Sequence, residues 1–217
     1  MTDLHALAQH LIDGHDADVA RLTREALDAG QAPADILEQG LIAGMQVVGE
    51  RFRDNIIFVP EVLVAARAMK AGLAHLEPVL AACGIEPVGT FVIGTVKGDI
   101  HDIGKNLVGM MLRGAGFKVV DLGVNTPLAK FEAAIAEHRP EIVGMSALLT
   151  TTMGQMKVNI DAFRAAGHLE RMRVMVGGAA VSEDYAMSIG AHGHGKDAPS
   201  SVTGALALLA EVKATRR

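Results

Sequence analysis

The sequence predicts an α/β protein made of two modules, a four-helix bundle followed by an open five-stranded parallel sheet. Three observations carry this expectation. Up to about residue 83, apolar residues recur only at helical spacing. From Thr90 onward, short apolar runs alternate with helical stretches. The residues with the most unusual chemistry cluster where three of those runs end. Half of the 217 residues are hydrophobic, enough to fill a sizeable core.

In the first module, Leu4, Leu7 and Leu11 mark one helix, and Val19, Leu22 and Ala26 a second. Gly30 closes the second, and Pro33 suits the first turn of a third, where a missing N–H costs nothing. The third helix runs through Ile36, Leu41, Met45, Val48 and Phe52 until Arg53-Asp54-Asn55 breaks it. A fourth begins near Pro60 and carries Leu63, Ala66, Met69, Leu73 and Leu76. Four amphipathic helices with short joints bury their apolar stripes against one another. Gly84-Ile85-Glu86-Pro87-Val88-Gly89 reads as a linker, so domains of 1–86 and 87–217 are expected.

In the second module, strands are expected at Thr90–Thr95, Lys118–Asp121, Ile142–Ser146 and Arg173–Gly177, with a short fifth near Ala191–Gly193. Helices fit at Ile103–Ala115, Pro127–Glu137, Met153–Ala166, Ser182–Ile189 and Ser200–Val212. This repetition builds a flavodoxin-like (Rossmann-type) parallel sheet, which binds ligands beyond the carboxyl ends of its strands, between the first and third.

Composition removes several function classes. Aromatics make up 3% of the chain, too few for stacking platforms on single-stranded nucleic acid, and a net charge of −5 offers no footprint for a phosphate backbone. Cys83 is the only cysteine, which excludes an internal disulfide and a thiolate zinc site; it reads as a packing residue near the end of the fourth helix. Met1-Thr2-Asp3-Leu4-His5 lacks the basic-then-apolar order of a signal peptide, and no apolar run approaches the ~20 residues a membrane span needs. A cytoplasmic protein without nucleic-acid or membrane partners is expected.

The loop after the first strand, Gly98-Asp99-Ile100-His101-Asp102-Ile103-Gly104, is the most informative stretch. In extended backbone, side chains two apart point the same way, so Asp99 and His101 face one target. A carboxylate accepting a proton from one imidazole nitrogen leaves the other as an aimed lone pair, as a metal-ligating histidine requires. Gly104, without a Cβ, lets a broad flat group lie against the backbone. The loops after the third and fourth strands, Ser146-Ala147-Leu148-Leu149-Thr150-Thr151-Thr152 and Gly177-Gly178-Ala179-Ala180, are brought to the same sheet edge.

Asp99-x-His101-x-x-Gly104, then Ser146-x-Leu148, then Gly177-Gly178 resembles the cobalamin-binding signature of corrinoid proteins and methionine synthase. The helical half resembles the matching cap module in Gly40-Leu41, Gly44-Met45, Val48-Gly49, Phe52, Phe58-Val59-Pro60-Glu61 and Ala68-Met69. The resemblance runs roughly from Leu4 to Leu209 and is greatest to free-standing corrinoid subunits of methyltransferase systems.

It implies a cobalamin cofactor, in its methylcobalamin form during turnover, bound base-off with His101 as the cobalt ligand. Asp99 then holds His101, and Thr152 holds Asp99. Gly98, Ile100, Asp102, Ile103 and Gly104 complete the loop beneath the corrin. Ser146 and Leu148 line the slot for the displaced nucleotide tail, where Gly177 and Gly178 keep side chains out of the way of the base, and Thr150 is a further cofactor-binding residue. Phe58-Val59-Pro60-Glu61 and Leu63 are implied to cover the cobalt, and 84–89 to act as the hinge.

The implied role is a methyl carrier that a substrate-specific methyltransferase loads and a second methyltransferase unloads, to tetrahydrofolate or a thiol coenzyme, with a reductive activase as a further partner. One departure is Gly190-Ala191-His192-Gly193-His194-Gly195, where relatives often carry Asp and Tyr at the histidine positions.

Read without the resemblance, Asp99 and His101 form an ordinary structural loop pair, 146–152 is a strand-to-helix cap, Gly177-Gly178 is a common turn, and His192 and His194 are loop residues. Two further readings stay open beside the carrier. One is a cobalamin-dependent sensor or mutase subunit. The other is a divalent-metal hydrolase using Asp99, His101 and His194.

Overall fold

A computed structural model describes residues 2–215; Met1 and the last two positions of the expected domain spans lie outside the described residues. The chain divides into two compact units, one made of the residues up to Pro87 with Gly114–Gly116 and the other of Val88–Arg113 with the residues from Phe117 onward.

The helical unit holds α1 (Leu4–Ile12), α2 (Asp16–Asp28), a rod running through α3 (Pro33–Asp35), a π-helical segment (Ile36–Ile42) and α4 (Ala43–Arg53), and α5 (Val59–Ala82). The backbone stays right-handed helical at Ile36 and Ile42, so the third rod is continuous. Leu7, Leu11, Val19, Ile36, Leu41, Val48 and Leu76 are fully buried, the periodic positions the sequence picked out. Glycines let the rods approach closely: a Cβ on Gly40 would sit 2.6 Å from the Leu7 side chain, and one on Gly72 would sit 2.9 Å from Leu41. At the start of α5 the Glu61 carboxylate accepts the Phe58 N–H at 3.0 Å, half of a capping box. Cys83 caps the end of α5 and is exposed, so it is not the packing residue expected; Ala81 and Ala82 before it are exposed as well, so this end of the helix faces away from the core.

The second unit contains β1 (Thr90–Thr95), α6 (Ile103–Gly114), β2 (Lys118–Asp121), α7 (Leu128–His138), β3 (Ile142–Ser146), α8 (Thr150–Ala165), a 3-10 turn (His168–Glu170), β4 (Arg173–Gly177), α9 (Glu183–Ser188), β5 (Gly193–Gly195) and α10 (Ala198–Thr215). The five strands are parallel in the order β2-β1-β3-β4-β5, which puts the switch point between β1 and β3. Phe91 pairs with Ile142 and Thr95 with Ser146, so the two central strands end level. Val92, Val143, Val174 and Val176 pack with Phe131, Met156, Ile160 and Phe163 on one face of the sheet. The alternating residues Phe91, Ile93, Ile142 and Met175 are buried as well, as strands covered on both faces require.

Three elements of the second unit differ from the sequence reading by two or more residues. The fifth strand is Gly193–Gly195 rather than Ala191–Gly193. Its two glycines carry no apolar signal, and His192 instead brackets Val174, donating its N–H to the Val174 carbonyl and accepting the Val174 N–H on Nδ1. α8 begins at Thr150 instead of Met153, because a carboxylate from another loop caps it. α10 starts at Ala198, where Asp197 accepts the Ser200 N–H at 2.8 Å.

Candidate functional site

The carboxyl edge of the sheet converges on one side chain. Asp99 is 0% exposed and accepts five hydrogen bonds. On Oδ1 it takes the His101 backbone N–H at 3.0 Å and His101 Nδ1 at 2.7 Å. On Oδ2 it takes the N–H groups of Leu148 (2.8 Å) and Leu149 (3.2 Å) and the Thr152 hydroxyl (2.9 Å). The last three lie at the N-terminus of α8, where unpaired N–H groups and the helix dipole favour a negative charge. Asp99 thus acts as the N-cap that α8 does not supply from its own sequence. Burial alone would raise the Asp99 carboxyl; the donors from His101, Leu148 and Thr152 outweigh it and hold the group well below the usual carboxylate range.

The tautomer follows. An ionised carboxylate only accepts, so His101 Nδ1 is the donor to it, and in the neutral ring Nε2 carries the lone pair. The His101 side chain is 46% exposed, so that lone pair is accessible. The two residues meet through a tight turn rather than the extended backbone expected: the Asp99 N–H donates to the Val96 carbonyl, and the His101 N–H folds back onto the Asp99 side chain.

The turn is braced from several directions. Thr95 Oγ1 donates to the His101 carbonyl at 2.8 Å. Asn125, in the loop after β2, accepts the Gly98 N–H on Oδ1 and donates its own N–H to the Asp99 carbonyl. Gly98 has φ +87, a conformation that favours glycine. Beyond the turn, Lys105 is 3% exposed and places Nζ 2.6–2.7 Å from both Asp121 oxygens and 2.7 Å from Asn106 Oδ1. Asn106 in turn donates to Asp102 Oδ2 at 2.9 Å.

Of the residues singled out in the sequence, Gly98, Asp99, His101, Leu148 and Thr152 are therefore brought together. Gly104 lies in the first turn of α6 with nothing within 4 Å of where its Cβ would be. Ile100 and Ile103 are 73% and 78% exposed and, with the exposed Val124, Leu148 and Leu149, give the edge an apolar rim. Ser146 ends β3 half-buried, and Thr150 opens α8 exposed; neither joins the hydrogen-bond network around Asp99.

Gly177 and Gly178 are demanded by the protein's own backbone. A Cβ on Gly178 (φ +120) would lie 2.1 Å from the Ala147 carbonyl oxygen, and one on Gly177 would lie 2.7 Å from that of Gly195. His194 Nε2 donates to the Val181 carbonyl, and burial, followed by the Arg173 charge, pushes the His192 imidazole below its ordinary value. Among the described residues, Asp99, His101 and His194 do not gather into a ligand cluster, so the hydrolase reading has no site. Leu149, Thr95, Asn125 and Lys105 were missed. Only Asn125 had a readable signal, its place in the loop leaving β2 beside the switch point.

The sequence matches two family models, each described as a B12 binding domain, over residues 3–77 and 89–203. It is 42% identical over 205 residues to a corrinoid protein of Desulfitobacterium hafniense, covering 93% of this chain and 95% of that one. It is 43% identical over 196 residues to trimethylamine corrinoid protein 1 of Methanosarcina mazei, covering 89% and 90% respectively. Among solved structures, it resembles the methanol:cobalamin methyltransferase complex of Methanosarcina barkeri (TM-score 0.86, 32% identity, 95% of this chain and 79% of that chain). It also resembles a cobalamin-binding protein of D. hafniense (TM-score 0.78, 30% identity, 96% and 99%).

Proposed function

The chain belongs to the family of B12-binding corrinoid proteins, and from that premise we propose that it carries a methyl group between two methyltransferases. Cobalamin is its cofactor. The open backbone at Gly104, the apolar rim of Ile100, Ile103, Leu148 and Leu149, and an accessible lone pair on His101 Nε2 fit a large, flat, mostly apolar macrocycle with a metal at its centre. When bound, the corrinoid supplies the transfer chemistry itself.

The chain's residues contribute orientation and electronics. His101 Nε2 is the proposed lower ligand, in the base-off arrangement. Asp99 orients the ring through Nδ1, and Thr152 together with the start of α8 keeps Asp99 ionised. Ser146, Leu148, Thr150, Gly177 and Gly178 are proposed to border the nucleotide tail.

Residues 1–86 are proposed as the helical cap module of the family and 87–217 as its cobalamin-binding module, with 84–89 as the linker between them. Proposed partners are a methylamine- or methanol-type methyltransferase, an acceptor methyltransferase using tetrahydrofolate or a thiol coenzyme, and a reductive activase. No helix is long and apolar enough to cross a membrane, and a cytoplasmic location is proposed.

The observation that carries the proposal is the Asp99–His101 pair with Nε2 left free. The test is reconstitution with cobalamin: a base-off, histidine-on absorbance spectrum is expected and should be lost in His101→Ala. An identical spectrum in that variant would refute the ligand assignment.

A further inference from the structure

Away from the sheet edge, the described residues gather one set of ligand-type side chains: His10, His15 and Asp18 of the helical unit, whose donor atoms all lie within 4.8 Å of one another. His10 lies in the last turn of α1, and His15 precedes α2, in whose first turn Asp18 lies. The two Nδ1 atoms are 3.2 Å apart, and His10 Nδ1 is 3.8 Å from Asp18 Oδ2. We propose that this corner binds a divalent cation of the zinc type through the two Nδ1 atoms and Asp18 Oδ2.

The spacing is that of neighbouring ligands. Two donors each about 2.0–2.1 Å from one metal lie roughly 3.4 Å apart at the tetrahedral angle and roughly 2.9 Å apart at a right angle. The observed 3.2 Å falls between these values. Asp18 Oδ2, 3.8 Å from His10 Nδ1, lies wider than this spacing and would have to move closer to join the two nitrogens on an ion.

The corner is also held in place before any ion arrives. The His15 N–H donates to the His10 carbonyl at 2.9 Å, closing the chain between the two rings. Gly14 between them has φ +75, and a Cβ there would strike Val64 at 2.6 Å, so the turn has one conformation against α5. Arg21 takes Asp18 Oδ1 at 2.9 Å and leaves Oδ2 on the side of the imidazoles. The nearby guanidinium weakens cation binding, so a modest rather than tight site follows.

Two imidazoles and one carboxylate select zinc, copper or nickel over magnesium and calcium, which prefer all-oxygen sets. All three side chains are partly exposed, so water fills the remaining positions and the ion acts as a clip across the α1–α2 corner.

The test is calorimetric titration of the full-length chain with zinc chloride in the presence of excess magnesium. One equivalent is expected, lost in His10→Ala and in His15→Ala and weakened at least ~tenfold in Asp18→Asn. His15 makes no capping bond through its side chain, so its removal leaves the helix intact. His101→Ala, run alongside, should keep the equivalent, and zinc should raise the melting temperature of the native chain but not of His15→Ala. No zinc uptake, or uptake that survives His15→Ala, overturns the proposal.

Discussion

Replacing Asp99 by asparagine keeps the shape of the side chain and removes only its charge and half of its accepting capacity. Asp99 Oδ2 faces three donors and Oδ1 faces two. With the amide oxygen turned toward α8, the NH2 group meets the His101 N–H and ring. The backbone N–H then loses its partner, and the ring can accept only if its proton moves from Nδ1 to Nε2. The opposite orientation would strand the N–H groups of both Leu148 and Leu149, so the first is favoured.

One orphaned buried donor costs roughly 1–3 kcal/mol, and the surviving bonds lose their charge assistance, so Asp99→Asn should destabilise the sheet unit by about 2–5 kcal/mol. Because the folded carboxyl lies below its unfolded value near ~3.9, its contribution is present above that pH and is lost as pH falls through the folded value. The assay is denaturant unfolding of native chain and variant from neutral to acid pH, with cobalamin absorbance on the same samples. The variant should be weaker at neutral pH, lose less on acidification below ~4, and show no histidine-on spectrum, since Nε2 is now protonated. Equal stability at neutral pH together with an unchanged spectrum would refute the reasoning.

Other perturbations separate folding from binding. Gly104→Val should leave melting of the unloaded chain unchanged, because nothing lies within 4 Å of that position, yet weaken cobalamin at least ~tenfold in an equilibrium titration. Gly178→Ala should fail at the folding step: at φ +120, with a carbonyl oxygen 2.1 Å away, it should cost several kcal/mol (more than ~3) and abolish soluble expression. His192 is depressed by burial and by Arg173, so the unfolded chain binds its proton first. Stability should fall as pH drops below ~6.5, and His192→Gln should flatten that slope in pH-dependent unfolding.

The layout was legible because periodicity is a property of the chain. Leu7, Leu11, Val19 and Val48 announce a buried helical face, and Val92, Val143 and Val174 the interior of strands covered on both sides. The fifth strand was displaced because Gly193 and Gly195 carry no side-chain pattern; its pairing depends on the backbone of β4. The Asp99–His101 pairing was legible from residue type and spacing and the place of Thr152 only from the family resemblance, but the geometry of neither was. The turn that forms it rests on Asn125 and Thr95, and the cap on α8 comes from a residue 50 positions away from Leu149. Lys105 meets Asp121 only because β2 lies beside β1, a fact of topology that spacing does not announce. The glycine pair in the fourth loop was read for its openness; its first duty is to let the ends of β3, β4 and β5 come together.

The most direct test is electron paramagnetic resonance of the cobalt(II) form, with protein labelled with nitrogen-15 and cofactor left unlabelled. A doublet splitting from a nitrogen-15 axial ligand is expected, disappearing in His101→Ala. A triplet from the unlabelled base of the cofactor would place that base beneath the metal and contradict the role given to His101.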